Sequence, residues 1–356
     1  NADGDSIWGE AYHSIPDPGD EVDLYSEVYV GRMPVSTLAE ANTLIGKSIS
    51  YETPDETASK TQYLLCGEVI FPSNYVPGME IITDGAEILD DIYMPYLAGN
   101  PDASGLRLYE SYPLYPGSLQ LTVQSAIAAM NEGANHFIHA GHGNKYNMSV
   151  GNGSILNYDA ANLSNGDKLF SMYLMNCTNV AFDTDCLAEY FLLNQGGGAF
   201  AVTGSSRSAF PSTSRPYMDN YYYELFNEDM VQLGKLYTKS REQFTPGAIA
   251  ETADRWTHFI INYLGDPELC MYRGTVKTFE VSHPSYAVFG DNDITITVNS
   301  GGAPCDSAFV CLYKDGDDYA FGRTGPDGRI VFSDFLCRDT GQIQVAVTGI
   351  DHARYT

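Results

Sequence analysis

Two apolar runs, each broken by a short polar loop, decide how this chain folds. The first reads HFIHAGHG over residues 136–143, and the second reads LFSMYLMNCTN over residues 169–179. Short apolar runs that end in turn residues are typical of buried strands in a parallel sheet. In an open α/β sheet, ligands bind at the carboxyl ends of the strands. The pattern therefore predicts that His142 and Cys177 lie at one binding edge.

The region around these runs shows a regular alternation from about residue 60 to residue 272. Strand-like runs alternate there with amphipathic stretches, in which apolar residues recur every three or four positions. This predicts an α/β fold with a mainly parallel sheet flanked by helices on both faces. We expect strands at 62–69, 106–109, 136–140, 171–175 and 198–203, and helices at 82–93, 119–130, 184–193, 215–227 and 247–263.

The pattern of apolar and polar residues changes after Gly274, and this change predicts a second domain. Short alternating segments follow, separated by turn sequences such as KDGD at 314–317 and PDG at 326–328. They predict a small all-β sandwich of immunoglobulin type over residues 274–356. The α/β domain is assigned to residues 60–273. Residues 1–59 form an N-terminal part, with a strand-like segment at 28–30 and a helix near 38–51.

The composition of the chain restricts which partners and which location we expect for it. The 356 residues include 46 acidic and 19 basic ones, which gives a formal net charge of −27 at pH 7. Nucleic acid requires a basic face, so we expect no nucleic-acid partner. No apolar stretch approaches the length of a membrane span, and the N-terminus carries no signal-peptide pattern. A mature secreted protein would have lost its signal, and whether residue 1 is a processed end stays open.

The seven cysteines fall into three groups. Three lie in apolar surroundings and are expected to be inert core thiols: Cys66, Cys186 and Cys270. Three lie in the C-terminal segment, where one pair could bridge in an oxidising compartment: Cys305, Cys311 and Cys337. The absence of a CxxC pair gives a structural zinc site no support. Cys177 remains, followed by the polar residues of a loop, so we expect its thiol to lie near solvent.

A thiol and an imidazole at one sheet edge suit nucleophilic catalysis, because the imidazole accepts the proton of the attacking thiol. His136 and His139 are alternatives to His142, but His139 lies within the apolar run and is expected to be a satisfied core histidine. Glycines flank only His142, where they allow a sharp turn and a close approach of substrate. The sequence therefore predicts a Cys177–His142 dyad.

Several segments together resemble the gingipain family of bacterial cysteine peptidases, which has the caspase-like fold of clan CD. They are the two strand ends GHG and NC, the segment VYVGRMP at 28–34, the segment LGDPEL at 264–269, and the β-domain after residue 274. The resemblance covers nearly the whole chain. It implies a secreted or cell-surface cysteine endopeptidase of bacterial origin, which acts on a protein or peptide substrate and whose activation can require removal of a pro-segment.

The resemblance also implies roles for individual residues. The amides of Gly143 and Cys177 would form the oxyanion hole. Glu68, which ends the first strand, could orient His142 as the third member of a triad, or it could be a solvated loop carboxylate.

Arginine-specific members hold the substrate's guanidinium with an aspartate near the position of Asp84. Cleavage after a basic residue is therefore one hypothesis, and a helix cap is the alternative role of Asp84. Ser205 and Ser206 would form another wall of the same pocket. Arg207 pointing inward would instead favour acidic substrates.

The polar N-terminus offers oxygen ligands at alternate positions, and structural calcium at Asp3, Asp5 and Glu10 is plausible from the family. No cofactor is expected to be required for the chemistry itself. The same residues fit a solvated acidic terminus equally well.

Three other functions stay open at this point. The chain could be a catalytically inactive, adhesin-like surface protein on the same scaffold, or a sortase-like processing peptidase of a secretion system. An esterase is disfavoured, because GSSRS at 204–208 lacks the final glycine of a G-x-S-x-G elbow. The residue preceding the scissile bond and the oligomeric state are not determined by the sequence.

Overall fold

The computed structural model describes residues 20, 22–151, 153–250 and 252–356. The chain divides into two compact units. The first runs through Tyr51 and continues from Ala58 to Arg273, and the second consists of Glu52–Thr57 and Gly274–Thr356.

The first unit alternates strands and helices along the chain. Its strands are β1 (Gln62–Gly67), β2 (Val69–Phe71), β3 (Thr83–Asp84), β4 (Ser104–Tyr109), β5 (Leu119–Gln120), β6 (His136–Ala140), β7 (Gly143–Asn144), β8 (Asn147–Ser149), β9 (Ser154–Leu156), β10 (Phe170–Met175), β11 (Ala199–Ser205) and β12 (Ile261–Leu264). Its helices are α1 (Leu38–Glu52), α2 (Gly85–Tyr96), α3 (Val123–Glu132), α4 (Asn157–Ala161), α5 (Leu187–Leu193), α6 (Pro211–Asn227), α7 (Leu233–Glu242), α8 (Thr245–Ala248) and α9 (Ala253–Ile260).

A seven-stranded sheet organises this unit, in the order β12-β11-β10-β6-β1-β4-β5. All neighbouring strands are parallel except β11 and β12, which are antiparallel. Every residue of β6, β10 and β11 is buried, as continuous apolar runs in a sheet covered on both faces require. The predicted α/β class with a mainly parallel sheet is confirmed. The carboxyl ends of β1, β4, β6 and β10 therefore meet at one edge.

Two expectations about local structure are wrong. The single helix predicted over 247–263 is instead two helices, α8 and α9, and α9 ends at Ile260, after which Ile261–Leu264 forms β12. The apolar run there pairs with the last open strand of the sheet, which a continued helix could not do. The segment 28–30 is no strand: Val28 and Val30 are exposed, and the nearest pairing is an isolated bridge between Arg32 and Leu264.

The second unit is all-β and antiparallel. Its strands are β13 (Glu280–Ser282), β14 (Gly290–Ser300), β15 (Ala303–Pro304), β16 (Phe309–Lys314), β17 (Asp318–Arg323), β18 (Arg329–Cys337), β19 (Gln344–Gly349) and β20 (His352–Tyr355). They form two four-stranded sheets, one from β13, β14, β15 and β18 and the other from β16, β17, β19 and β20. Inward-facing residues of both sheets share one apolar core. Whether this arrangement is of immunoglobulin type stays a prediction.

The cysteines agree with expectation except at one point. The bridge that stayed open is not formed, since Cys305, Cys311 and Cys337 all have free thiols. Cys337 is buried in the core. Cys311 lies on β16 between two buried residues, so its side chain is on the opposite face of that strand, away from the core. Cys270 is exposed rather than in the core, while Cys66 and Cys186 are buried as expected.

None of the helices described is long and apolar enough to cross a membrane.

Candidate active site

Cys177 and His142 follow neighbouring parallel strands at the same edge of the sheet. Met175 of β10 lies opposite Ala140 of β6, and each candidate residue comes two positions after its strand partner. The N–H of Gly141 donates to the carbonyl of Met175 at 3.2 Å, so the pairing continues into the loops. Both candidate side chains are partly exposed. The structure thus brings the predicted thiol and imidazole to one accessible edge.

The loop that follows Cys177 turns sharply. Thr178 has a φ of 60°, which is rare for a β-branched residue and is typical of strained positions at functional sites. The Thr178 N–H donates to the carbonyl of Arg207 at 3.2 Å, which fixes the turn. On the same neighbouring loop, the N–H of Ala209 donates to Sγ of Cys177 at 3.3 Å. The sulfur therefore accepts a hydrogen bond from the backbone, and such a bond is stronger to a thiolate than to a thiol.

The imidazole of His142 is held by a backbone carbonyl. Its Nε2 lies 2.8 Å from the carbonyl oxygen of Ile70, and its edge contacts the Phe71 ring with centroids 5.9 Å apart. A carbonyl can only accept a hydrogen bond, so Nε2 carries the hydrogen in this contact. The neutral ring therefore presents an unprotonated Nδ1. This tautomer leaves Nδ1 as the nitrogen that can take up a proton.

Glu68 contacts the backbone of His142 rather than its ring. Its Oε2 accepts the His142 N–H at 2.6 Å, and its Oε1 accepts the hydroxyl of Ser149 in a short contact. The approach depends on Gly141, where a Cβ would lie 2.8 Å from that carboxylate. From the sequence, Glu68 was either a partner of the imidazole or a solvated loop carboxylate, whereas in the structure the Ile70 carbonyl contacts the ring and Glu68 contacts the backbone. Glu68 instead fixes where the His142 backbone lies.

The amides of Gly143 and Cys177 are available as donors. Ser149 N–H donates to the His142 carbonyl, which makes Gly143 and Met148 a non-hydrogen-bonded pair of the β7–β8 hairpin. The Gly143 N–H consequently points away from β8. The Cys177 N–H has no hydrogen-bond partner among the residues described. A Cβ at Gly143 would lie only 3.0 Å from the Cys177 carbonyl, so glycine permits this close approach.

Asp84 lies at the amino end of α2, where its carboxylate is already occupied. Its side chain caps the helix by accepting the Ala86 N–H at 3.0 Å. Its second oxygen accepts the hydroxyls of Ser111 at 2.7 Å and Tyr115 at 3.0 Å. The cap that formed the alternative expectation is therefore present, together with two further donors.

A third carboxylate near this edge, Glu110, was not singled out from the sequence. It follows β4 and accepts the Val69 N–H at 2.9 Å. Partial burial, with the negative charges of Glu68 and Asp84, raises the pKa of Glu110, while the nearby His142 opposes that shift. Glu110 follows the strand LRLY (106–109) just as Glu68 follows LLCG (64–67), so the same strand-end signal could have found it.

Ser205 and Ser206 lie at the carboxyl end of β11 and are buried. Ser206 donates both its N–H and its hydroxyl to the Ile260 carbonyl, at 2.8 and 3.1 Å. Arg207 is paired with Asp183 at 3.0 Å on the surface. The Ser206 hydroxyl therefore joins the end of β11 to the last residue of α9, and the Arg207 guanidinium is paired with Asp183 on the surface.

The other two histidines of the first motif are buried and satisfied, as expected for His139. His139 bonds to the Ser149 carbonyl at 2.8 Å and to the amide of Asn176 at 3.1 Å. His136 bonds to Ser171 and Tyr222 at 2.6 and 2.7 Å. Burial lowers the pKa of His136 to about 3 and that of His139 to about 4. Neither carries a charge at neutral pH.

The calcium ligands suggested for the N-terminus, Asp3, Asp5 and Glu10, lie outside the described residues. Within the described ranges, no group of three or more His, Cys, Asp or Glu side chains could hold a metal ion.

Two contacts at this edge are made by the backbone and leave no trace in the sequence pattern. The Ile70 carbonyl and the Ala209 N–H hold the imidazole and the sulfur regardless of which side chains those positions carry. Only the tertiary fold reveals them.

The sequence profile of peptidase family C25 matches residues 3–272. No curated protein sequence is significantly similar to the chain.

Among solved structures, the chain is similar to the Arg-specific cysteine proteinase gingipain R (RgpB), with a TM-score of 0.74, 18% identity, and coverage of 93% of this chain and 74% of that one. A complex of the pro- and mature domains of RgpB from Porphyromonas gingivalis matches with the same TM-score and identity, covering 94% of this chain and 76% of that one. A third structure, described as a protease, matches with a TM-score of 0.73 and 19% identity, covering 94% of this chain and 75% of that one. At these identities the likeness establishes the fold.

Proposed function

This chain belongs to peptidase family C25 and is a cysteine peptidase, and we propose that it is an endopeptidase in which Cys177 is the nucleophile and His142 its proton acceptor. The observation that carries this proposal is the common sheet edge of the two residues, each two positions beyond paired strand residues. The contacts of both side chains with neighbouring backbone groups support it. They leave the sulfur with a donor and the imidazole with a basic Nδ1.

The reaction begins when Nδ1 of His142 takes the proton of the Cys177 thiol and the thiolate attacks the scissile carbonyl carbon. A carbon–sulfur bond forms, and the electron pair of the carbonyl π bond moves to the oxygen. The amides of Gly143 and Cys177 then donate to that oxyanion. As the tetrahedral intermediate collapses, the carbon–nitrogen bond breaks and the imidazolium protonates the leaving amine. Water hydrolyses the resulting thioester and regenerates the thiol.

The carbonyl of Ile70 holds the His142 ring through Nε2 before and after proton transfer. When Nδ1 gains a proton, the ring becomes a cation and its Nε2–H bond to the Ile70 carbonyl strengthens. The carboxylates of Glu68 and Glu110 lie at the same edge. In this arrangement Glu68 positions the histidine through its backbone.

The substrate is proposed to be a polypeptide with a basic residue before the scissile bond. Glu68, Asp84 and Glu110 place three carboxylates near His142, close enough that the first two raise the pKa of Glu110. Asp84 already accepts hydrogen bonds on both of its oxygens, whereas Glu110 uses one oxygen for Val69. Glu110 is consequently the carboxylate best able to accept a cationic side chain.

Location, activation and calcium binding are also part of the proposal. A secreted or surface enzyme with a removable pro-segment is in keeping with the structure of the RgpB pro- and mature domains. Structural calcium at Asp3, Asp5 and Glu10 would stabilise the N-terminal part without entering the chemistry.

The direct test is hydrolysis of a fluorogenic peptide library by the wild type, Cys177→Ala and His142→Ala. We expect both variants to lose activity and Cys270→Ala, which removes an exposed thiol outside the site, to keep it. Full activity in Cys177→Ala would overturn the proposed nucleophile. A wild type that cleaves no peptide would favour the inactive, adhesin-like alternative.

The specificity proposal is tested with the same library. The wild type should prefer Arg or Lys before the cleaved bond, and Glu110→Gln should weaken that preference while its amide oxygen still accepts the Val69 N–H. Asp84→Asn should change it less. A preference for acidic or apolar residues at that position would reject this part of the proposal.

A further inference from the structure

Asn179 lies two residues after Cys177, and its amide joins two separate loops. The side chain is fully buried. Its Nδ2 donates to the carbonyl of Asn147 at 2.8 Å and, in a short contact, to the carbonyl of Asn144. Asn144 and Asn147 are the pair that closes the turn of the β7–β8 hairpin. One amide group thus ties both strands of that hairpin to the Cys177 loop.

The hairpin held in this way begins with Gly143, one of the two proposed oxyanion donors. A Cβ on Gly143 would lie 3.0 Å from Oδ1 of Asn179. The start of α5 supports both sides of the junction, because Ala188 N–H donates to the Asn179 carbonyl at 3.0 Å and Leu187 N–H to the Lys145 carbonyl at 2.8 Å. The Asn179 side chain and the start of α5 together therefore hold the hairpin that begins with Gly143 against the loop that follows Cys177.

The hydrogen bonding of Asn179 is one-sided. Both amide hydrogens have acceptors, but the buried Oδ1 has no hydrogen-bond partner in the part of the chain that the structure describes. A side chain that served only to stabilise the fold would gain by satisfying this oxygen as well. Here its donors are matched to two carbonyls, and its acceptor lies against a glycine.

We infer that Asn179 is a positioning residue for the oxyanion hole, which sets the distance between the Gly143 N–H and the Cys177 N–H. This inference rests on the proposed function. The hydrogen-bond donors of an oxyanion hole act only when they are fixed at the place where negative charge develops. Loss of the Asn179 amide would let the hairpin move and misplace one donor while leaving the thiol and the imidazole in place.

The test compares two reactions of the same sulfur. Peptide hydrolysis passes through an oxyanion, whereas alkylation by iodoacetamide is a displacement at a saturated carbon and forms none. For Asn179→Ala we expect kcat to fall roughly 30-fold or more, towards the 10²–10³-fold loss of a whole oxyanion donor. KM and the alkylation rate of Cys177 should stay within about threefold of the wild type, as expected when only an oxyanion contact is lost.

Asn194 provides the matched control. It is also a buried asparagine, and its Nδ2 donates to the carbonyls of Ala160 and Leu163 at 3.0 and 2.9 Å, with no contact to Gly143 or Cys177. Asn194→Ala should lower the Tm but keep kcat. Asn179→Ser, which retains a single donor, should give an intermediate kcat and serves as the second variant if Asn179→Ala does not fold.

Two outcomes would overturn the inference. One is an unchanged kcat in Asn179→Ala or Asn179→Ser; the other is a parallel fall of kcat and alkylation, which would make Asn179 a support of the thiol. Failure of the proposed function is distinguishable, because in that case Cys177→Ala would still hydrolyse peptides or the wild type would cleave none, whatever Asn179→Ala does.

Discussion

The interior of the central sheet and its carboxyl edge carry the same residue types in opposite states. Cys66 and His139 lie within β1 and β6, where burial raises the pKa of the thiol and lowers that of the imidazole to about 4. His142 lies just beyond the end of β6 and Cys177 just beyond the end of β10, and both are partly exposed. The interior groups are therefore kept neutral and satisfied, while the edge groups are accessible to a substrate. A cysteine or histidine within a strand therefore packs in the core, whereas the same residue just after the strand end is accessible to a substrate.

The largest expected difference between the two regions concerns their histidines. His142→Ala should lower kcat/KM by roughly 10³–10⁴-fold, because it removes the general base and acid. His136→Ala, in the interior, should leave kcat within about threefold but lower the free energy of unfolding by about 2 kcal/mol, since it leaves buried hydroxyls unpaired. Peptide hydrolysis and urea unfolding of both variants measure this. A similar loss of activity in His142→Ala and His136→Ala would contradict the proposed difference between the edge and the interior.

A smaller effect is expected at Glu68, which lies at the edge but touches only the backbone of His142. Glu68→Ala should lower kcat by roughly 100-fold, the loss typical of about 1 Å of misplacement. KM should change little. The same variant should slow alkylation of Cys177, because a displaced imidazole no longer accepts the thiol proton. Unchanged alkylation with a reduced kcat would contradict this role for Glu68.

The smallest effect is a pH dependence of stability that arises in the interior. His136 and His139 have pKa values lowered to about 3 and 4, against 6.5 for a free imidazole, so between these values the unfolded chain binds more protons than the folded one. Their contribution to stability is complete above pH 6.5 and is lost as the pH falls towards 4. Each should cost about 1.4 kcal/mol per pH unit across that interval.

Urea unfolding at pH 7, 6 and 5 measures this slope. His136→Ala should reduce it by the share of one histidine. A free energy of unfolding that stays constant from pH 7 to pH 5 would show that these imidazoles are not held neutral.

The contrast between the two regions also explains which features the sequence could predict. Apolar runs such as HFIHA are long enough to specify buried strands, and the residues that end them mark the edge, so the sheet and the common edge of Cys177 and His142 could be predicted. Ile261–Leu264 was misassigned because a short apolar run after a helical pattern is compatible with a helix or a strand. It forms a strand because β11 offers it an unpaired edge.

The finer geometry of the edge depends on contacts between loops that are distant in sequence. Glu68 was found by its position at a strand end, but its contact with the His142 backbone rather than the ring required the path of Ile70 to be known. Asn179 carries no sequence signal at all, since its role depends on a hairpin that begins 36 residues earlier. Backbone partners of this kind are set by tertiary structure.

The central claim is that Cys177 is a reactive thiol activated by His142, and iodoacetamide labelling at neutral pH followed by peptide mapping tests it most directly. We predict rapid labelling of Cys177 in the wild type, strongly slowed labelling in His142→Ala, and no labelling of Cys66 in the folded protein. Equal labelling of Cys177 with and without the imidazole, or no reaction of Cys177 at all, would contradict the account.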